Sequence, residues 1–143
     1  MHDGQFDKAL TIQSERLKRI EAADIKRDSK PGKATIGAYI SASWYALISR
    51  QFSQTLTYAE RGHELAKDNL PIETNHAHAL MFLGRASEAK QLYLSHIGQH
   101  IGGEGSKLWE AEIANDFNEF RKYKLTHPQI AEIEALLGIA GKN

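Results

Sequence analysis

The chain has 143 residues, no cysteine, and 18 basic side chains against 18 acidic ones, a formal net charge of zero. That length suits one domain with a core of its own. The missing thiols exclude a disulfide framework, a thiol nucleophile and a thiolate metal site, and the charge balance argues against nucleic-acid and anionic-membrane partners, which are held by an excess of Lys and Arg.

The first predicted element covers residues 6–28, where Phe6, Leu10, Leu17 and Ile20 fall on one helical stripe and Glu15, Arg16, Lys18 and Arg19 lie largely on the remainder. Asp28-Ser29-Lys30-Pro31-Gly32 ends it. Residues 34–50 read as a second helix, rich in small and aromatic side chains, and 53–69 as a third that Asn69-Leu70-Pro71 closes, because proline suits a helix start rather than its interior. A fourth helix over 72–83 stops at Gly84-Arg85, and a fifth over 86–97 runs out at Gly98. Residues 98–106, with Gly98, Gly102, Gly103 and Gly105, read as a mobile loop. Trp109, Ile113, Phe117 and Phe120 mark one face of a helix over 107–124. Thr126-His127-Pro128-Gln129 then has the form of a capping box and opens a last helix that Gly138 can close. The expected class is all-α, with seven helices.

Seven helices on short connections suit either a bundle or a solenoid, and a fixed repeat period separates the two. An offset of 34 residues pairs Ser43 with Ala77, Ala46 with Leu80, Leu47 with Met81, Ile48 with Phe82, Phe52 with Ala86, Thr55 with Ala89 and Ala59 with Tyr93. The match lies in residue class and helix phase; Ser53 with Ser87 is the one identity among the pairs compared.

The segment Asn75-His76-Ala77-His78-Ala79-Leu80-Met81-Phe82-Leu83-Gly84-Arg85-Ala86-Ser87-Glu88-Ala89-Lys90-Gln91-Leu92-Tyr93 resembles a tetratricopeptide repeat. By that resemblance Ala77 and Leu80 sit on the first helix of a hairpin, Gly84 makes the turn, Ala89 lies where the second helix packs back, and Tyr93 is the large residue one turn on. The physics is general: helices cross closely where small side chains meet and bulky ones fill the flanks. Residues 39–70 look like a degenerate repeat with Ser43, Ala46 and Thr55 at the small positions and Arg50 in place of the turn glycine, and 73–104 like a second repeat. Gly4-Gln5-Phe6-Asp7-Lys8-Ala9-Leu10 resembles the turn and second helix of a further repeat covering 4–28, and 107–138 supplies capping helices. The whole is expected to be one tetratricopeptide-like domain, 1–143, and the segments Ile72-Glu73-Thr74-Asn75 and Leu125-Thr126-His127-Pro128 look similar to terminal repeat segments of larger bacterial multidomain proteins.

The resemblance implies a concave face lined by the first helix of each pair, where a peptide, a helix or a neighbouring domain lies. Carried over by position, that face comprises Ile40, Trp44, Leu47, Ile48, Thr74, His78, Met81 and Phe82. Aromatic and Met side chains there suit binding, although the same stripe also suits a core. Family members that clamp a C-terminal carboxylate use Lys, Asn and Arg, whereas the matching places hold Ile40, Trp44, Thr74 and His78, with Asn75 as the sole amide. A cytoplasmic protein–protein interaction module without cofactor is therefore expected. The alternative is a structural cap or self-association domain that forms homo-oligomers through Phe6, Leu10 and Leu17 of the N-terminal helix.

Chemistry-bearing motifs are absent. His96 and His100 are four apart and His76 and His78 are neighbours, but His100 falls past the expected helix end and no His-Glu-x-x-His spacing occurs. Gly98 to Lys107 lacks the order of a phosphate-binding loop, and Gly103-Glu104-Gly105-Ser106 lacks that of a nucleophile elbow. Glu110, Glu112, Asp116 and Glu119 read mostly as a solvated helix face. No run approaches the roughly 20 apolar residues of a membrane span, and Met1-His2-Asp3-Gly4-Gln5 has no signal-peptide character.

Overall fold

A computed structural model describes residues 4–140, with side chains from Lys8 onward. Among the described residues it is all-helical and has no strand. The helices are α1 (Gly4–Asp28), α2 (Lys33–Ile48), α3 (Phe52–Leu65), α4 (Leu70–Phe82), α5 (Ala86–Ser95), α6 (Trp109–Lys122) and α7 (Gln129–Leu137). No helix among them is long and apolar enough to cross a membrane. The chain divides into two compact units, residues 1–76 and 77–143, and the division falls within α4.

In the first unit α2 packs against both α1 and α3. It is apolar nearly all round, and the small residues Ala38, Ala42, Ser43 and Ala46, all buried, let both neighbours approach. Leu17 of α1 joins Ala38, Tyr39 and Ala42 in one core cluster, with Ile20, Tyr58 and Leu65 packed against it. This corrects the expectation that the stripe of α1 lies open. Leu10 and Leu17 are buried, because α2 covers that face; the side chain of Phe6 lies outside the described residues. Asp24 of α1 anchors the start of α2. It accepts hydrogen bonds from the Gly32 amide at 2.8 Å and from the Thr35 hydroxyl, while Arg27 holds its other oxygen at 2.6 Å. Gly32, at the N-cap, has no side chain to satisfy the free amides of the first turn, so a carboxylate from the preceding helix supplies the acceptor. The Thr35 hydroxyl and the Gly32 amide hold its pKa down at about 2.

Four of the helix ends, those of α2, α4, α6 and α7, follow one scheme. After α2, Arg50 donates to the Leu47 carbonyl and Gln51 to that of Ala46; after α4, Gly84 donates to Met81 and Arg85 to Leu80. Each is a Schellman closure with a left-handed residue at its corner, Arg50 at φ 64° and Gly84 at φ 81°, 34 positions apart. Lys124 closes α6 and Gly138 closes α7 in the same way. Arg50 thus takes the left-handed conformation at its corner without being a glycine.

In the second unit α7 packs on α5 and α6, and Trp109, Ile113, Phe117 and Phe120 of α6 are all fully buried. The glycine-rich stretch is tied rather than free. Ile101 and Lys107 are joined by a backbone bond of 2.7 Å, Trp109 donates to the Gln99 carbonyl, and a single antiparallel bridge links His100 with Leu108.

Candidate functional site

The residues expected to line a binding face divide sharply by burial. Leu47, Ile48, Thr74, His78 and Met81 are buried. Ile40 and Trp44 on α2, and Phe82 at the end of α4, are half-buried. What stays open of the expected face in the first unit is therefore a strip of α2 made of exposed Gly37 and half-buried Ile40, Ser41 and Trp44, spaced three and four residues apart on one helix face. Burial of Leu47 and Ile48 follows from their place on the last turn of α2, a helix packed on two sides. Asn75, the sole amide at the clamp positions, is 3% exposed and donates to Ser43 Oγ at 2.8 Å. Its amide nitrogen also donates to the Ile40 carbonyl at 3.3 Å, so both donor hydrogens are used inside the first unit.

The positions expected at hairpin contacts, Ser43, Ala46, Thr55, Ala77, Leu80, Ala89 and Tyr93, are all buried, and Gly84 is exposed at its turn.

His78 stands at the centre of a polar network in the second unit. It is 0% exposed, and both ring nitrogens are used. Tyr93 bonds its Nδ1 at 2.6 Å and Asp116 its Nε2 at 2.9 Å. With Asp116 ionised the assignment is fixed: Nε2–H donates to the carboxylate, and the Tyr93 hydroxyl donates to Nδ1. Phe120 and Phe117 enclose the ring, with centroids 4.8 and 5.8 Å away. Burial lowers the His78 pKa to about 3, so the imidazole is neutral, and the same burial raises Asp116 to about 6. Glu112, one turn earlier on α6, is pushed up to about 7 by burial and by its hydrogen bond with Asp116, against the opposing pull of Lys107 at 3.4 Å. Asp116 thus departs from the expected solvated face of α6. A histidine with no accessible surface reaches no incoming substrate, and this network's chemistry is that of a satisfied buried polar cluster.

The other histidines among the described residues are also engaged, His127 accepting from the Gln129 amide at 3.1 Å. Glu73, 3% exposed, accepts from His63 and, at 3.4 Å, from His76. Burial alone would raise its pKa, but the two imidazoles outweigh that and hold it below the ordinary value. His96 packs edge-on to Trp109 at 4.8 Å, and His100, beyond the end of α5, donates to the Ser106 carbonyl. Among the described residues no group of three or more His, Asp or Glu side chains is placed to hold a metal ion.

Sequence reasoning missed two features. One is the role of Asp24, signalled only by a carboxylate preceding a Gly-x-x-Thr start. The other is the tyrosine pair Tyr39 and Tyr58, whose rings lie 6.2 Å apart between α2 and α3. No family model, curated protein or solved structure matches the chain.

Proposed function

We propose that this chain is a tetratricopeptide-like interaction module, a bacterial cytoplasmic protein whose helical hairpins stack as a solenoid and bind a partner protein or peptide through the Ile40–Trp44 face of α2. The carrying observation is the recurrence of the same helix closure at Arg50 and Gly84, 34 residues apart, in step with buried small residues at Ser43 and Ala77 and at Thr55 and Ala89. Trp44 beside Ile40 supplies the kind of large, partly dry surface from which interfaces draw most of their energy. The lack of cysteine is in keeping with a reducing compartment.

The test compares proteins captured by the wild type, by Trp44→Ala and by Gly37→Glu. A Cβ on Gly37 meets nothing within 4 Å, so the second variant adds a charge one turn from Ile40, on the helix face that carries Trp44, without touching the core. Loss of the same captured protein in both variants, with unchanged helical circular dichroism, supports the reading. Retention of the partner by Gly37→Glu removes this face from the binding role. The cap or self-association reading loses Leu10 and Leu17 from its stripe by their burial; among the described large apolar side chains of α1, Ile12 and Ile25 are exposed.

A further inference from the structure

A second surface lies in the first unit, in an open groove of about 410 Å3 between α1 and α3. Its apolar wall is Leu17, Ala22 and Ile25 of α1, and Tyr39 of α2 and Tyr58 of α3 bring their rings to it. The tyrosine hydroxyls are already occupied. Tyr39 donates to Glu21 at 2.6 Å, and Tyr58 bonds Ser14 and accepts from Gln54 at 2.8 Å. Burial and the bond to Glu21 push the Tyr39 pKa up to about 12, so that hydroxyl stays protonated. With these polar atoms turned toward one another, an occupant meets mainly carbon, and apolar side chains gain most by entering.

The exposed charge on α1 beside the groove is mostly basic, with Glu15 and Asp28 as the exposed acids among the described side chains, although the chain as a whole is neutral. Lys18 stands on its lip, and Arg61 pairs with Glu21 at 3.4 Å. Along the outer flank of α1, one helical row holds Lys8, Glu15, Arg19, Ala22 and Lys26, all exposed. Among the described side chains the other acids of the helix are engaged: Asp24 caps α2, Glu21 takes Tyr39 and Arg61, and Asp28 pairs with Arg27. The wall from Ser14 to Ile25 is about 16 Å long, three turns of helix.

We propose that this groove docks an acidic amphipathic helix of a partner protein. The helix lays apolar side chains at i, i+4 and i+7 against Leu17, Ala22 and Ile25, and its carboxylates face Lys18, Arg19 and Lys26. The groove is separate from the Ile40–Trp44 strip, since Tyr39 and Trp44 are about 140° apart around α2, and the proposal stands whether or not that strip binds.

The test measures fluorescence anisotropy of three labelled helices of about four turns each with the full chain. One carries Leu at i, i+4 and i+7 with Glu elsewhere on its polar face; the second has Lys in place of Glu, and the third Ser in place of Leu. Saturable binding of the Leu/Glu peptide is expected, at least about tenfold tighter than either control and weakened by salt. Ile25→Glu, at a position 45% exposed, and the pair Arg19→Glu with Lys26→Glu each weaken it by about tenfold or more, while Gly37→Glu does not. The proposal is overturned if the Leu/Glu peptide shows no saturable binding up to about 1 mM. Equal binding of the Lys peptide, wild-type affinity in Ile25→Glu, or loss of binding in Gly37→Glu with unchanged circular dichroism also overturns it.

Discussion

At the scale of single residues, the pair Glu112 and Asp116 sets a pH dependence whose sign follows from the environment. Glu112 titrates at about 7 in the folded chain, against 4.5 as its ordinary value, because burial and the neighbouring carboxyl disfavour its charge. The folded state therefore binds this proton more tightly than the unfolded state. The resulting penalty is fully present above pH 7, fades as pH falls, and is gone below about 4.5. Glu112→Gln imitates the protonated form. It stabilises the chain by roughly 1–2 kcal/mol at pH 8, after loss of the Lys107 pair, and leaves stability near wild type at pH 4.5. Urea melts at the two pH values check this, and a gain of equal size at both would rule the account out. His78 was read as part of the expected binding face, and its burial was not legible. Asp116, which completes its hydrogen bonds, lies 38 residues further on, and local spacing carries no information about that partner.

At the scale of elements, the helices were readable because their stops are chemical. Pro71, Gly84 and Gly138 end or begin helices for reasons that hold at any site, and the observed bounds of α4 to α7 fall within about two residues of the apolar periodicity. The less legible corner was Arg50, where a non-glycine residue takes φ 64° and nothing in its identity announces it. The loop at 98–106 was read from its glycines as mobile; Gly98, Gly103 and Gly105 supply positive-φ corners in a stretch tied by backbone hydrogen bonds. The face of α2 left open was likewise hidden, since a helix apolar nearly all round has no phase to read. The shared closure yields a prediction at this scale. Gly84 sits at φ 81°, and a Cβ there meets nothing within 4 Å, so the cost of adding one is conformational and not steric. Gly84→Ala is expected to lower stability by about 1 kcal/mol, seen as a lower denaturation midpoint with unchanged m-value. An unchanged midpoint would mean that the corner relaxes out of the left-handed region.

At the scale of the whole molecule, the proposed repeat makes a claim about which lengths of chain can be removed. Arg50 and Gly84 close their helices with the same two hydrogen bonds, so Gln51 and Arg85 occupy equivalent positions at the start of the next helix. Excision of residues 51–84 joins Arg50 directly to Arg85. The chain then leaves α2 through its own left-handed corner and enters α5 where α3 would have begun. Buried small residues stay in phase: Thr55 is replaced by Ala89, and both are fully buried. Excision of 51–81 removes nearly as much chain but carries the Gly84 turn into the place of the second helix, which misplaces every following contact. A solenoid with one repeat fewer is less stable but still cooperative. The in-phase deletion is therefore expected to keep its helical content per residue and a single melting transition at a lower temperature, whereas the out-of-phase deletion gives a broad, weak one. If both deletions melt alike, the 34-residue spacing of Arg50 and Gly84 is a local likeness of two turns and not the period of an array.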